Sequence, residues 1–114
     1  MRNFRTLTIG KSVIKYVQQI YLITTNFPEH KRFGFISQMQ RAVVSIPSNI
    51  AEGCSKSSDT EYKRYLQIAI GSAFELEAHL IQCQNVNYIT QTKLSRLLFD
   101  LHIEQKNKRT HHKN

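Results

Sequence analysis

Apolar residues in this sequence return at steps of three and four over most of its length, and almost nowhere do they alternate for as long as a strand requires. That spacing predicts an all-α fold. Val13, Val17, Ile20, Thr24 and Phe27 mark one face of a helix over about 11–27, which Pro28 stops because proline disfavours helical backbone in the residue before it. Ile36, Met39, Val43, Ile46 and Ile50 mark a second helix over about 34–53, with a kink expected at Pro47 and Gly53 as a left-handed C′ residue. Ser58-Asp59-Thr60-Glu61 reads as a capping box that opens the longest helix, about 58–86. Thr90 caps a last helix, about 90–105, and the basic stretch 106–114, with no apolar residue to pack, is expected to be a flexible tail.

Four helices joined by short links favour an up-down-up-down antiparallel four-helix bundle, and 114 residues suffice for one such domain and one core. The third helix carries two apolar lines. Tyr62, Leu66, Ala69, Ala73, Leu76, Leu80 and Cys83 form the first, and Tyr65, Ile68, Phe74 and Ile81 the second. With Phe99, the second line is more apolar surface than a lone bundle of this size should expose, so it implies either a homo-oligomer or an unusually wide core. Gly71-Ser72 offers a notch of small residues where a neighbouring helix can come close.

Sixteen lysines and arginines stand against eight carboxylates, a formal charge of +8, and the surplus lies near the two ends of the sequence. In the expected topology both ends meet the link 54–57 and the start of the third helix at one pole. That pole gathers Arg2, Arg5, Lys11, Lys56, Lys63, Arg64, Lys106, Lys108, Arg109 and Lys113 against Glu52, Asp59, Glu61 and Glu104. The first nine of these cations are the candidate nucleic-acid contacts, RNA or DNA, made mostly to phosphate. The rival reading is a protein-interaction adaptor in which the same charges meet a partner's acidic face.

Catalytic and metal chemistry find little support. The four glycines lie too far apart for a phosphate loop. Glu75 and Glu77, two residues apart on a helix, point in roughly opposite directions and cannot share a proton. His102, His111 and His112 lack the spacing of a metal site, so no metal and no cofactor is expected. Cys54 and Cys83 fit free thiols in a reducing cytoplasm, and with no apolar run of membrane-spanning length, no membrane partner is expected. Opposite the apolar face of the second helix runs a polar line, Gln38, Arg41, Ser45, Ser48 and Glu52. With Asn49 and Glu75 it is either solvated surface or a structural polar network.

Phe27-Pro28, Phe33-Gly34, the run from Arg41 to Gly53 containing Ser45-Ile46-Pro47-Ser48-Asn49-Ile50-Ala51-Glu52-Gly53, and Ile68-Ala69-Ile70-Gly71-Ser72 with Glu75-Leu76-Glu77 carry a family resemblance. Over about residues 12–103 the chain closely resembles the four-helix-bundle family encoded within intervening sequences of bacterial 23S rRNA genes. The resemblance implies a homopentamer with a basic surface that binds RNA or DNA, and no enzymatic activity. A relative of that family in diversity-generating retroelements similarly forms a pentamer and works with a reverse transcriptase, which gives the adaptor reading its concrete form. Three departures are visible. The family's early tryptophan is absent, with Gly10 near its place; Lys31 stands where glutamate is usual; and Gln40 replaces the first of an arginine pair, leaving Arg41 alone.

Overall fold

The apolar spacing produces four helices. A computed structural model describes residues 2–28 and 32–113, with side chains for 2–28 and 34–102. It contains α1 (Thr8–Thr25), α2 (Ser37–Cys54), α3 (Asp59–Asn85) and α4 (Gln91–Lys113), with no strand among the described residues. A short 3-10 turn, Phe4–Thr6, precedes α1, and a π-helical turn, Arg32–Ile36, leads into α2.

The first apolar face enters the core on every helix. Ile20, Met39, Ile50, Leu66, Leu76, Leu80 and Leu101 are completely buried. At about 1.5–3 kcal/mol for each large aliphatic side chain taken out of water, this interior is what holds the helices together. Each helix packs on its neighbours in sequence, and α1 also meets α4, so the four enclose one core. Tyr16 reaches across that last seam, its hydroxyl donating to the Leu97 carbonyl at 2.9 Å.

Paired residues fix the register. Met39 meets Cys83, Ser45 meets Ser72, and Gly53 lies against Tyr65, so numbers rise along α2 as they fall along α3. Gln40 donates to Thr24 at 3.0 Å, and His102 meets Glu77 at 2.9 Å, which sets α1 against α2 and α3 against α4.

The helix ends differ from expectation in physically readable ways. α1 starts at Thr8 because Ile9, one turn before Val13, is also buried and extends the stripe. It ends at Thr25, and Phe27 follows in a tightened turn, its amide bonded to the Thr24 carbonyl. Ser58 accepts from the Glu61 amide at the start of α3, and Thr90 from the Lys93 amide at the start of α4. α3 stops through Asn87, whose φ of 66° is left-handed. The Tyr88 amide returns to the Cys83 carbonyl and the Asn87 amide to the Gln84 carbonyl.

Gly53 is not the left-handed residue expected of it, since no described glycine has positive φ. It lies inside α2, and its value is size: a Cβ there would sit 2.9 Å from the Cβ of Tyr65. The close approach expected at Gly71 is therefore made by Gly53, while a Cβ at Gly71 would meet open space. α4 is helical to Lys113 rather than ending near 105, since lysine, arginine and glutamine propagate a helix well even without an apolar face.

Candidate nucleic-acid interface

The start of α3 organises the charged end of the molecule. Asp59 and Glu61 occupy its first turn, where carboxylates oppose the positive end of the helix, and Lys63 and Arg64 follow. Asn3 caps the 3-10 turn by accepting from the Arg5 amide, and the turn itself packs against α1 and α2. Arg2 then lies with its guanidinium carbon 3.8 Å above the Tyr62 ring and pairs with Asp59. Arg2 thus has two intramolecular partners.

Lys56, in the link between α2 and α3, pairs with Glu52 at 3.4 Å. Its ammonium also stands 5.4 Å from the centre of the Tyr65 ring, over which the Arg64 guanidinium lies at 4.8 Å. Arg5, Lys11, Lys63 and Arg64 form no ion pair among the described residues. Arg2, Lys56, Lys63 and Arg64 are thereby brought to one region, and the Gln40–Thr24 register sets Lys11 level with Gly53 at the same end. The side chains of Lys106, Lys108, Arg109 and Lys113 lie outside the described residues.

Beneath this surface Cys54 and Tyr62 are buried, and burial pushes both groups up from their ordinary values, with Arg2 opposing. A protonated thiol is a poor nucleophile. Cys83 is buried beside Met39 and is pushed up further, to about 12.

The polar line of α2 divides. Ser45 and Ser72 share a hydrogen bond of 2.5 Å between α2 and α3, and Asn49 donates to the Ser45 carbonyl at 2.8 Å. Ser48 donates back to the Val44 carbonyl within its own helix, and the Glu52 carboxylate meets Lys56 at 3.4 Å and accepts from the Ser55 hydroxyl at 3.5 Å. Gln38 and Arg41 are exposed, and Glu75 is exposed 4.0 Å from His79. Among the described residues, Ser45 is the one of these seven whose side chain bonds to another helix. Glu75 and Glu77 do part company, the latter bonding to His102 on α4.

Exposed apolar side chains form two faces. Tyr21 on α1 is level with Val44 on α2 by the Thr24–Gln40 register, and Ile14 lies two turns before Tyr21. Phe99 on α4 is level with Ile81 on α3 by the His102–Glu77 register, and Phe74 lies two turns before Ile81. Tyr21, Val44 and Ile14 thus belong to the α1–α2 pair, and Phe99, Ile81 and Phe74 to the α3–α4 pair. Phe99, 63% exposed, and Phe74, 49%, are the most open aromatics of the described residues. The second apolar line of α3 therefore lies outside the core.

Two adjoining clefts of about 380 and 290 Å³ open between α1 and α4, sharing Leu22, Ile23 and Lys93. Neither is lined by histidine or cysteine, and no group of three or more metal-ligating side chains forms among the described residues. No described helix is long and apolar enough to cross a membrane.

Tyr65 was not singled out by sequence reasoning as a surface residue of this region. The available signal was Tyr62-Lys63-Arg64-Tyr65, two aromatics one turn apart enclosing two cations.

Together these features define a basic, all-α helical-bundle protein. The chain belongs to the 23S rRNA-intervening sequence protein family, which matches residues 5–107. It is similar in fold to a crystal structure of a protein of unknown function from the S23 ribosomal protein family of Bacteroides thetaiotaomicron. The TM-score is 0.83 at 24% identity, over 94% of this chain and 100% of that one. No curated protein matches the sequence.

Proposed function

We propose that this protein is a non-catalytic cytoplasmic scaffold that binds RNA or DNA through its charged end, built as an up-down-up-down bundle and assembled into a homopentameric ring. The observation that carries the reading is the gathering of Arg2, Arg5, Lys11, Lys56, Lys63 and Arg64 against only Glu52, Asp59 and Glu61. Four of those cations have no described carboxylate partner, so phosphate can pair with them without displacing one.

The two apolar faces support a ring. They differ in composition and lie on different helix pairs, so in the proposed ring the face bearing Phe99 on one copy meets the face bearing Tyr21 and Val44 on the next. Such head-to-tail contacts close into a ring when the rotation permits. Five is the number implied by the family resemblance. Rotation about the ring axis carries every charged end to the same rim, and several weak phosphate contacts then act together.

A salt titration of binding to generic RNA and duplex DNA tests this. Affinity should fall steeply with salt, by a log–log slope of about −0.7 to −0.9 per phosphate contacted. Reversing Arg5, Lys11 and Lys63 to glutamate should weaken binding at low salt by about tenfold or more and flatten the slope. Affinity that ignores salt, or binding unchanged by the triple reversal, would overturn the reading.

A further inference from the structure

The geometry points to Tyr65 as a stacking platform for an unpaired base, so that the charged end prefers single-stranded to duplex nucleic acid. This rests on the nucleic-acid reading above and gives it a ligand class. Three observations converge on the ring. Tyr65 is half-buried on the second turn of α3, and its stem is seated against α2 because Gly53 leaves no Cβ in the way, 2.9 Å from where one would stand. Its position is therefore set by helix backbone rather than by a loop.

Cations flank the ring at distances looser than direct stacking. Arg64 stands 4.8 Å and Lys56 5.4 Å from its centre, whereas Arg2 presses onto Tyr62 at 3.8 Å. Tyr62 is also 3% exposed and so is closed to any ligand, which leaves Tyr65 as the accessible aromatic of the pair. The Tyr65 hydroxyl forms no hydrogen bond among the described residues, so the polar edge of the ring is free to meet solvent or a sugar.

A nucleotide satisfies this arrangement better than solvent does. Its base offers a flat apolar face to the ring, and stacking of that kind outweighs an exposed cation–π contact. Arg64 and Lys56, displaced from the ring by the base, remain within reach of the adjoining phosphates. A duplex cannot use the site, because its bases are already stacked on one another and only its phosphates are presented.

Binding of the full-length protein to an oligo(dT) strand and to a DNA duplex of equal length, at matched salt, separates the outcomes. The strand should bind more tightly. Tyr65→Leu should weaken strand binding about fivefold or more while leaving duplex binding within twofold, and Tyr65→Phe should keep the strand preference. Arg64→Gln, which keeps the ring, should weaken both ligands together. If Tyr65→Leu changes strand and duplex equally, or neither, the stacking proposal is overturned while phosphate binding stands. If neither ligand binds the unmodified protein, the nucleic-acid reading falls and the proposal with it.

Discussion

Cys83 shows how the interior controls a single group. Its thiol lies 3.4 Å from the Met39 sulfur with no exposed surface, and burial raises it from 9.0 to about 12. The folded chain thus holds this proton more tightly than the unfolded chain. Its contribution to stability is complete below about pH 9 and is lost as pH rises towards 12. Native protein treated with iodoacetamide near pH 8 should leave Cys83 unmodified by mass spectrometry, and Cys54 largely so, while urea-unfolded protein takes two labels. Labelling of native Cys83 at the unfolded rate would mean that this packing is wrong. His79 is half-buried with neither ring nitrogen hydrogen-bonded among the described residues; the Phe35 ring stands edge-on to it, and a Glu75 oxygen lies 4.0 Å away.

Between elements, the α2–α3 contact depends on which glycine lies at the crossing. Gly53→Ala should destabilise the protein by about 1–3 kcal/mol, because the added methyl meets the Tyr65 stem and the Tyr62 carbonyl. Gly71→Ala, in open space within a long helix, should stabilise it by about 0.5–1 kcal/mol. Urea unfolding of the two variants reads both signs, and equal effects would contradict the crossing described. Sequence periodicity carried the four helices and nearly all of their buried faces, since helical spacing is a local property of the chain. It did not distinguish Gly53 from Gly71, because both are small residues on the same pair of helices and only the crossing point decides between them. The end of α3 was legible to within a residue, yet the device that makes it, Asn87 in the left-handed region, was not; asparagine there resembles any polar loop residue. For the candidate site, the nearness of Arg2, Lys56 and Arg64 to the start of α3 was legible from charge and topology, while the side chains of Lys106, Lys108 and Arg109 lie outside the described residues. The commitment of Arg2 to Tyr62 and Asp59 was not, since it joins residues far apart in sequence.

For the whole molecule, two unlike apolar faces make a sharper expectation than one. Phe99→Glu and Tyr21→Glu, on the two different faces, should each disperse the proposed ring, read as a fall in solution mass by light scattering. Mixed together, the two variants retain one intact junction, Phe99 of one copy against Tyr21 of the other, and should form dimers without closing. Recovery of the full ring on mixing, or no effect of either change, would rule out the head-to-tail arrangement. The same asymmetry exists along the other axis. α2 and α3 run in opposite directions, so their macrodipoles oppose one another, and side-chain charge weighs more in the field around their shared end. Around the start of α3, Arg2, Lys56 and Arg64 gather over Tyr62 and Tyr65, so this end of the bundle carries cations at close quarters. In the proposed complex this asymmetry would turn an approaching polyanion towards that end before any contact forms.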